Sequence, residues 1–164
     1  MEYFTPHGDG VLLRLDEDEA GALRRLVADM RSLLAHDDRS DPALERLYPN
    51  AYEDPEDERK YRDLVGAELR NEKARALDTM AANMTGDGRV EAELDAEQVQ
   101  RWLTGLTDMR LTLGVRLGVT EDLGGEQIDP DDPEAFSWSL LHWLGWLQEQ
   151  LLEVIDPDHR RTYG

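Results

Sequence analysis

Apolar residues recur every three or four positions in four stretches of the chain. This spacing places the apolar side chains on one face of a helix, so it predicts four principal helices that each bury one side. Two of these helices follow aspartates, Asp16 and Asp95, with Glu19 and Gln98 three residues further on. This is the arrangement of a capping box, in which both side chains accept hydrogen bonds from backbone N–H groups. We therefore expect helices to begin directly after Asp16 and Asp95.

The second and fourth helices are expected to start at two Asp-Pro pairs, 54–55 and 132–133, because proline at the first helical position loses no hydrogen bond. The fourth helix is apolar nearly all round over residues 136–147. Such a helix lies at the centre of a protein or at an interface, and we expect the centre, with a homodimer contact through residues 134–155 as the alternative. Within it, His142 is expected to be a neutral, buried histidine, the alternative being a buried acid or base.

Shorter segments of the chain predict strands. Residues 3–5 and 11–15 flank a glycine-containing turn at 6–10, which is typical of a β-hairpin. Residues 89–94 alternate between charged and apolar side chains, as a strand with one buried face does. Because two strands alone are marginal in water, we expect the later strand to join the hairpin. The predicted fold class is therefore mainly α, with about four principal helices and a small antiparallel sheet.

The pattern also repeats along the chain. Seven residue identities recur 79 positions later within a window of 24 residues, above the roughly two that ordinary amino-acid usage would produce. The matched residues are Val11, Leu15, Asp16, Asp29, Met30, Arg31 and Leu34, then Val90, Leu94, Asp95, Asp108, Met109, Arg110 and Leu113. We predict a single domain, 1–164, with a pseudo-twofold internal duplication whose copies are 10–86 and 89–156. Chance similarity between acid-capped amphipathic helices is the alternative.

Composition narrows the class of partner. The net charge of the 164 residues is −19, from 37 acids and 18 bases, and so acidic a chain repels the phosphates of DNA and RNA. We therefore expect no direct contact with nucleic acid. Only two lysines occur, Lys60 and Lys73, the second of which lies in the one locally basic stretch, 70–75. Residues 1–6 lack the basic region and the apolar run typical of a secretion signal, and no apolar stretch approaches the length of a membrane span, so we expect a soluble, cytoplasmic protein.

The sequence contains no motif of catalysis that we recognise. The absence of cysteine excludes disulfides and thiolate metal sites, and the four histidines show no spacing typical of metal ligands. The Gly-Asp-Gly turns at 8–10 and 86–88 lack the further glycine and the lysine that hold phosphates at a helix start, and there is no serine elbow. We therefore predict no catalytic residue, no metal and no cofactor, and a protein that is not an enzyme.

The segment 106–121 is the best candidate for a binding surface. Gly118 is expected to end the third helix, which leaves Arg110 and Arg116 in its last two turns, where the helix dipole favours cations. In a chain so short of bases, these arginines are expected to have specific partners. They either pair with acidic side chains of the protein or hold the carboxylate of a ligand, and the sequence leaves both roles open.

Tyr48 and Tyr52 precede the predicted second helix, and Tyr61 lies within it. These tyrosines are predicted either to form the wall of a groove or to cover the core. The complete set of binding residues predicted from the sequence is Arg110, Arg116, Thr120, Glu121, Tyr48, Tyr52 and Tyr61.

In these segments the chain resembles an uncharacterised actinobacterial family, domain of unknown function twenty-seventeen. The resemblance is carried by Leu47-Tyr48-Pro49-x-Ala51-Tyr52, by the arginine segment 108–121 and by Trp143-Leu144-x-Trp146-Leu147-Gln148. It implies no established activity and no catalytic residues. Genes of this family often lie near those for the Clp protease adaptor and for a JAMM-type metalloprotease with a ubiquitin-like sulfur carrier and cysteine synthase, and some relatives are labelled as regulators. The resemblance therefore implies a regulatory or adaptor role.

The expected function is a regulatory or protein-interaction domain without catalytic activity, linked to Clp proteolysis or to sulfur-carrier metabolism, with a protein as its partner. Its surface would be the segment 110–121 together with the tyrosines. The alternative is a small domain, binding or enzymatic, in which Arg110 and Arg116 hold an anionic ligand, and it predicts both guanidiniums in one pocket. A transcription factor that binds DNA directly is the third interpretation, and it is the least compatible with the net charge.

Overall fold

A computed structural model describes residues 2–36, 41–47, 55–118 and 135–156 of the chain. These ranges form a mainly helical protein with a small antiparallel sheet, as the pattern of the sequence predicts. In chain order the elements are β1 (Phe4–His7), β2 (Gly10–Leu15), α1 (Glu17–His36), α2 (Pro42–Arg46), α3 (Pro55–Asn83), β3 (Val90–Leu94), α4 (Ala96–Leu117) and α5 (Ala135–Ile155). The short helix α2 is the one element in this part of the chain that the apolar pattern does not predict.

The sheet has the strand order β1-β2-β3, and both pairings are antiparallel. The predicted hairpin is therefore confirmed, and so is the addition of the later strand to it. Gly8 provides the positive φ of 57° that the hairpin turn requires. Alternate side chains of β2 and β3 are buried, and these form the inner face of the sheet: Val11, Leu13, Leu15, Val90 and Leu94.

The register between β2 and β3 is symmetric about the pair Leu13 and Ala92, which lie 79 positions apart. On either side of this pair the matched residues face one another crosswise: Val11 pairs with Leu94, and Leu15 pairs with Val90. A local twofold axis through the central pair would exchange the two strands. This register is the one that two copies related by a pseudo-twofold axis require, while the duplication itself stays a prediction.

Both predicted capping boxes are present. The backbone N–H of Glu19 donates to the Asp16 carboxylate (2.8 Å), and the N–H of Asp16 donates to the Glu19 carboxylate (2.9 Å). Asp95 and Gln98 form the same pair of bonds at the start of α4, each at 2.8 Å. Helix α3 begins at Pro55, as predicted. The start predicted at 132–133 lies outside the described residues.

Helix α4 lies at the centre of the helical layer, where it packs against α2, α3 and α5 and also contacts the sheet. Its Trp102 is fully buried, with the ring edge-to-face against Phe4 at a centroid distance of 6.1 Å. The largest fully buried side chains of the core come from every helix and from two strands: Trp102, Leu13, Leu23, Leu44, Leu77, Met80, Leu94, Leu106, Met109, Leu144, Leu147 and Leu151.

Helix α5 does not lie at the centre, so that prediction is wrong. It packs against α4 and β1 through one face, which contains the buried Leu144, Leu147 and Leu151. Phe136 and Trp146 keep 67% and 69% of their surface exposed. The physical reason is that α4, which has apolar contacts on several sides, already occupies the centre. Because of its tryptophans, α5 is more apolar in sequence than α4. The composition of a helix does not determine, however, how many other elements pack around it.

The position of α5 also decides the environment of His142. This residue lies on the exposed side of the helix rather than among buried side chains. The predictions of a buried neutral histidine and of a buried acid or base are therefore both wrong. The homodimer contact through residues 134–155 is untested by these contacts and stays a prediction.

Gly118 ends α4 in the left-handed conformation, with φ of 70°, and its N–H is bonded to the carbonyls of Gly114 and Val115. We expect Gly118→Ala to lower the free energy of unfolding by about 1–2 kcal/mol, since a Cβ strains this conformation. Urea denaturation measures the change. The matched control is Gly21→Ala in α1, where nothing lies within 4 Å of the added Cβ and φ is ordinary. This control is expected to raise stability by about 0.5–1 kcal/mol, and shifts of the same sign in both variants would contradict the assignment.

Candidate functional site

Arg110 forms a bridge on the surface between α4 and α5. Its Nη1 donates to the side-chain oxygen of Gln148 at 2.7 Å, and Nε2 of Gln148 donates to the hydroxyl of Thr107, also at 2.7 Å. The guanidinium lies beside Gly145, where a Cβ would meet it at 3.6–3.7 Å. Its hydrogen bonds are thus directed to a neutral amide of the protein, and within the described ranges it forms no ion pair.

Arg116 lies on a different face of α4, beside a groove of about 310 Å³ between α1, α4 and α5. We call it the α1–α4–α5 groove. Its apolar lining is contributed by all three helices and includes four half-buried leucines: Leu26, Leu113, Leu117 and Leu140. The exposed ring of Phe136 forms a further part of the wall. The groove therefore combines an apolar lining with an aromatic side chain that is open to solvent.

Three exposed charged side chains line the same groove: Arg116 from α4, and Arg25 and Asp29 from α1. Arg25 and Asp29 are four residues apart, so they lie on one side of α1. Among the described carboxylates, neither arginine has an ion-pair partner. The groove therefore presents two guanidiniums and one carboxylate above apolar side chains. Arg110 does not line it, so the two arginines selected from the sequence do not meet in this groove of the described residues.

A buried ion pair joins α3 to α4. Nζ of Lys73 lies 3.0 Å and 3.2 Å from the two carboxylate oxygens of Asp108, and the side chains are only 16% and 7% exposed. Burial raises the pKa of Asp108 above its ordinary value of 3.8, and the charge of Lys73 opposes this effect. The hydroxyl of Thr112 donates to the backbone carbonyl of Asp108 at 2.8 Å. This pair fixes the register of the two helices at a buried point.

A family model described as Domain of unknown function (DUF2017) matches residues 1–155. The chain belongs to this family. No curated protein and no solved structure gives a significant match. The family description names no activity, so the chemistry of this DUF2017 domain has to be inferred from its own side chains.

Two positions that are equivalent in the repeat differ in their surroundings in this DUF2017 chain. Asp108 is buried against Lys73, whereas Asp29, which lies 79 positions earlier, is exposed in the α1–α4–α5 groove. The sequence drew attention to both aspartates as members of the repeat, to Asp108 also as part of the candidate segment 106–121, and to Lys73 as a lysine in a basic stretch. Their pairing was missed, because the partners lie 35 residues apart and meet only when α3 packs on α4.

Arg25, like Asp29 and Phe136, lines the groove but does not belong to the set of binding residues predicted from the sequence. A signal was available, since Arg25 and Asp29 lie one turn apart beside the apolar stripe of α1. Nothing in that stripe indicates, however, that α1 lies beside the end of α4 and the beginning of α5.

Several predicted binding residues lie where no contact is described. Tyr48, Tyr52, Thr120 and Glu121 are outside the described residues, and so is the side chain of Tyr61, whose backbone belongs to α3. Their role stays a prediction.

The described residues contain no group of three or more His, Asp or Glu side chains arranged to hold a metal ion. No helix in this part of the chain is long and apolar enough to cross a membrane.

Proposed function

We propose that this domain is a regulatory, non-catalytic module that binds another protein through the α1–α4–α5 groove. The observation that supports this most is the combination of Arg116, Arg25 and the exposed Phe136 around an apolar lining. Arginine and aromatic side chains are enriched at the centres of protein interfaces, because both offer large contact surfaces and arginine adds directed hydrogen bonds. A chain with a net charge of −19 supplies many acidic partners for its bases, and yet these two arginines form no ion pair with the described acids.

Arg116 is proposed as the principal contact, and Arg110 has a supporting role at most. The guanidinium of Arg110 already donates to Gln148, so a partner would have to replace that bond. Arg116 has no such competing bond among the described residues and would gain a new interaction on binding. A link of this module to Clp proteolysis or to sulfur-carrier metabolism remains part of the proposal.

A second candidate function is the binding of a small anionic molecule in the same groove. Its volume of about 310 Å³ is at the lower end of the range for ligand pockets, and two guanidiniums face it. This version differs from the one predicted from the sequence, because Arg25 replaces Arg110 as the second cation.

Photo-crosslinking tests the proposed function. The photoreactive amino acid benzoylphenylalanine is incorporated during expression in living cells in place of Phe136, which lies in the groove. In a second variant it replaces Trp146, an equally exposed aromatic residue of α5 that does not line the groove. We expect a discrete protein crosslinked at 136, and Arg116→Ala should weaken this complex by about 30-fold or more, as truncation of an interface hot spot does.

The control variant is Arg75→Ala, which removes an exposed arginine of α3 that does not line the groove, and it should leave the crosslink unchanged. A crosslink at 136 that survives Arg116→Ala would contradict the proposal. A crosslink from 146 to a second copy of the chain, with none at 136, would instead support the homodimer through α5.

A further inference from the structure

We infer that the α1–α4–α5 groove recognises the carboxyl-terminal end of a peptide chain whose last residue is apolar. This inference rests on the proposed function and specifies the chemistry of the partner. Arg25 and Arg116 would hold the terminal carboxylate, the leucines would surround the last side chain, and Asp29 would accept a hydrogen bond from a backbone N–H of the peptide.

The size of the groove favours a chain end over a helix. A docked amphipathic helix needs anchor sites spread over at least two turns. A volume of about 310 Å³ is at the lower end of the range for ligand pockets, so it fits a short peptide element better than a helix of two or more turns. The occupant is therefore expected to insert a short, compact element, and the end of a chain is such an element because nothing needs to continue beyond it.

The charges of the groove indicate a carboxylate. Guanidinium groups bind carboxylates through two parallel hydrogen bonds, which makes arginine the preferred residue for this anion. Arg25 belongs to α1 and Arg116 to α4, so a carboxylate between them would be held from both sides of the groove. Because the rest of the chain is strongly acidic, an anion is attracted only where such local positive charge exists.

Asp29 makes the site selective among anions. Its carboxylate lines the same groove, so it repels ligands with several negative charges, such as phosphates or dicarboxylates. It also accepts hydrogen bonds and donates none while it is ionised. A chain end offers a single carboxylate with a backbone N–H donor on the same residue, and this pattern fits two arginines beside one aspartate.

The apolar side of the groove defines the last residue. Leu113 and Leu117 belong to α4, and Leu26 and Leu140 come from the neighbouring helices. Phe136, which is 67% exposed, would lose much of that exposure against a bound side chain. A terminal Leu, Ile, Val, Phe or Met would therefore bind more tightly than a terminal Gly, Ser or Lys.

Fluorescence polarisation with synthetic peptides tests this inference on the full chain. The probes are fluorescein-labelled pentapeptides with randomised preceding positions that end in Leu, Ile, Val, Phe or Met, each made as the free acid and as the amide. We expect binding of the free acids and affinities at least about tenfold lower for the amides, which lack the terminal charge. Arg25→Ala and Arg116→Ala should each reduce the affinity by about tenfold, whereas Arg75→Ala should not change it.

Failure of the inference can be distinguished from failure of the proposed function. If free acids and amides bind equally, or if no peptide of the set binds, the chain-end inference is overturned, while a crosslink at Phe136 that depends on Arg116 would still support a protein-binding groove. A crosslinked peptide that maps to an internal segment of the partner would have the same meaning. The absence of any crosslink at 136 would contradict the proposed function itself. All of the substituted side chains are exposed, and circular dichroism checks that each variant is folded.

Discussion

Lys73→Met is expected to lower the free energy of unfolding by about 3–5 kcal/mol at neutral pH, because it leaves the buried carboxylate of Asp108 without its partner. Urea denaturation measures this loss. Desolvation of a charge is costly, and Asp108 is only 5% exposed, so water cannot replace the ammonium group. The loss of unfolding free energy is expected even though methionine fills a volume similar to that of the lysine stem.

The loss should depend on pH with a definite sign. Burial raises the folded-state pKa of Asp108 above its ordinary value of 3.8, and Lys73 opposes that rise in the native protein. A carboxyl group with a raised folded-state pKa contributes stability that is fully present below its unfolded pKa and is lost as the pH rises through the folded one. Without Lys73 the pKa should rise further. The difference between variant and native protein should therefore shrink as the pH falls from neutral toward about 4.

The double variant Lys73→Met/Asp108→Leu is the matched control. It removes both charges together, and replacement of a buried ion pair by apolar residues of similar volume is often neutral or stabilising. We expect it to recover most of the stability that the single variant loses. If Lys73→Met alone cost less than about 1 kcal/mol, as an exposed pair would, the pair could not be the buried anchor between α3 and α4.

Trp102→Ala is expected to destabilise the protein by about 3–5 kcal/mol, the usual cost of emptying a buried aromatic site. The indole has no exposed surface, contacts the ring of Phe4 and donates from Nε1 to the side-chain oxygen of Asn83 at 2.9 Å. Its removal creates a cavity below the sheet and leaves the half-buried Asn83 acceptor unpaired. Thermal or urea denaturation monitored by circular dichroism reports the change.

Trp146→Ala is the corresponding exposed substitution. Since 69% of Trp146 is exposed, its removal should change the free energy of unfolding by no more than about 0.5 kcal/mol. Trp102→Phe, which keeps most of the ring but not the donor, should fall between the two. Equal effects of Trp102→Ala and Trp146→Ala would show that the division between the inner and outer aromatic residues is wrong.

Much of the secondary structure could be predicted from the sequence, because its causes lie within a few residues. The capping boxes at Asp16 and Asp95, the start of α3 at Pro55 and the end of α4 at Gly118 each depend on bonds or dihedral angles inside one turn of chain. The alternation of charged and apolar residues in β3 likewise predicted a strand with one buried face.

The candidate site could be predicted only in part. Arg116 was selected because it lies near the end of an amphipathic helix in a chain with few bases, and it does line the groove. Arg110 was selected for the same reason, but it is bonded to Gln148 on another face. Arg110 and Arg116 lie on different faces because of the helical rotation between them, and their surroundings differ because of the position of α5. Only the helical rotation follows from the local sequence. Arg25 was missed because its importance comes entirely from its neighbours in space.

The amino-acid sequence by itself determined the strands, the helices other than α2, the helix ends at Asp16, Pro55, Asp95 and Gly118, the pairing of the later strand with the hairpin and the acidic character of the surface. These properties depend on local hydrogen bonds, on the period of the apolar residues and on the number of charges. The tertiary structure alone decided that α4 rather than α5 lies at the centre, that Lys73 meets Asp108, and that Arg25, Asp29 and Arg116 share one groove. These features depend on how all the apolar surfaces of the chain pack against one another, so they cannot be predicted from any single segment.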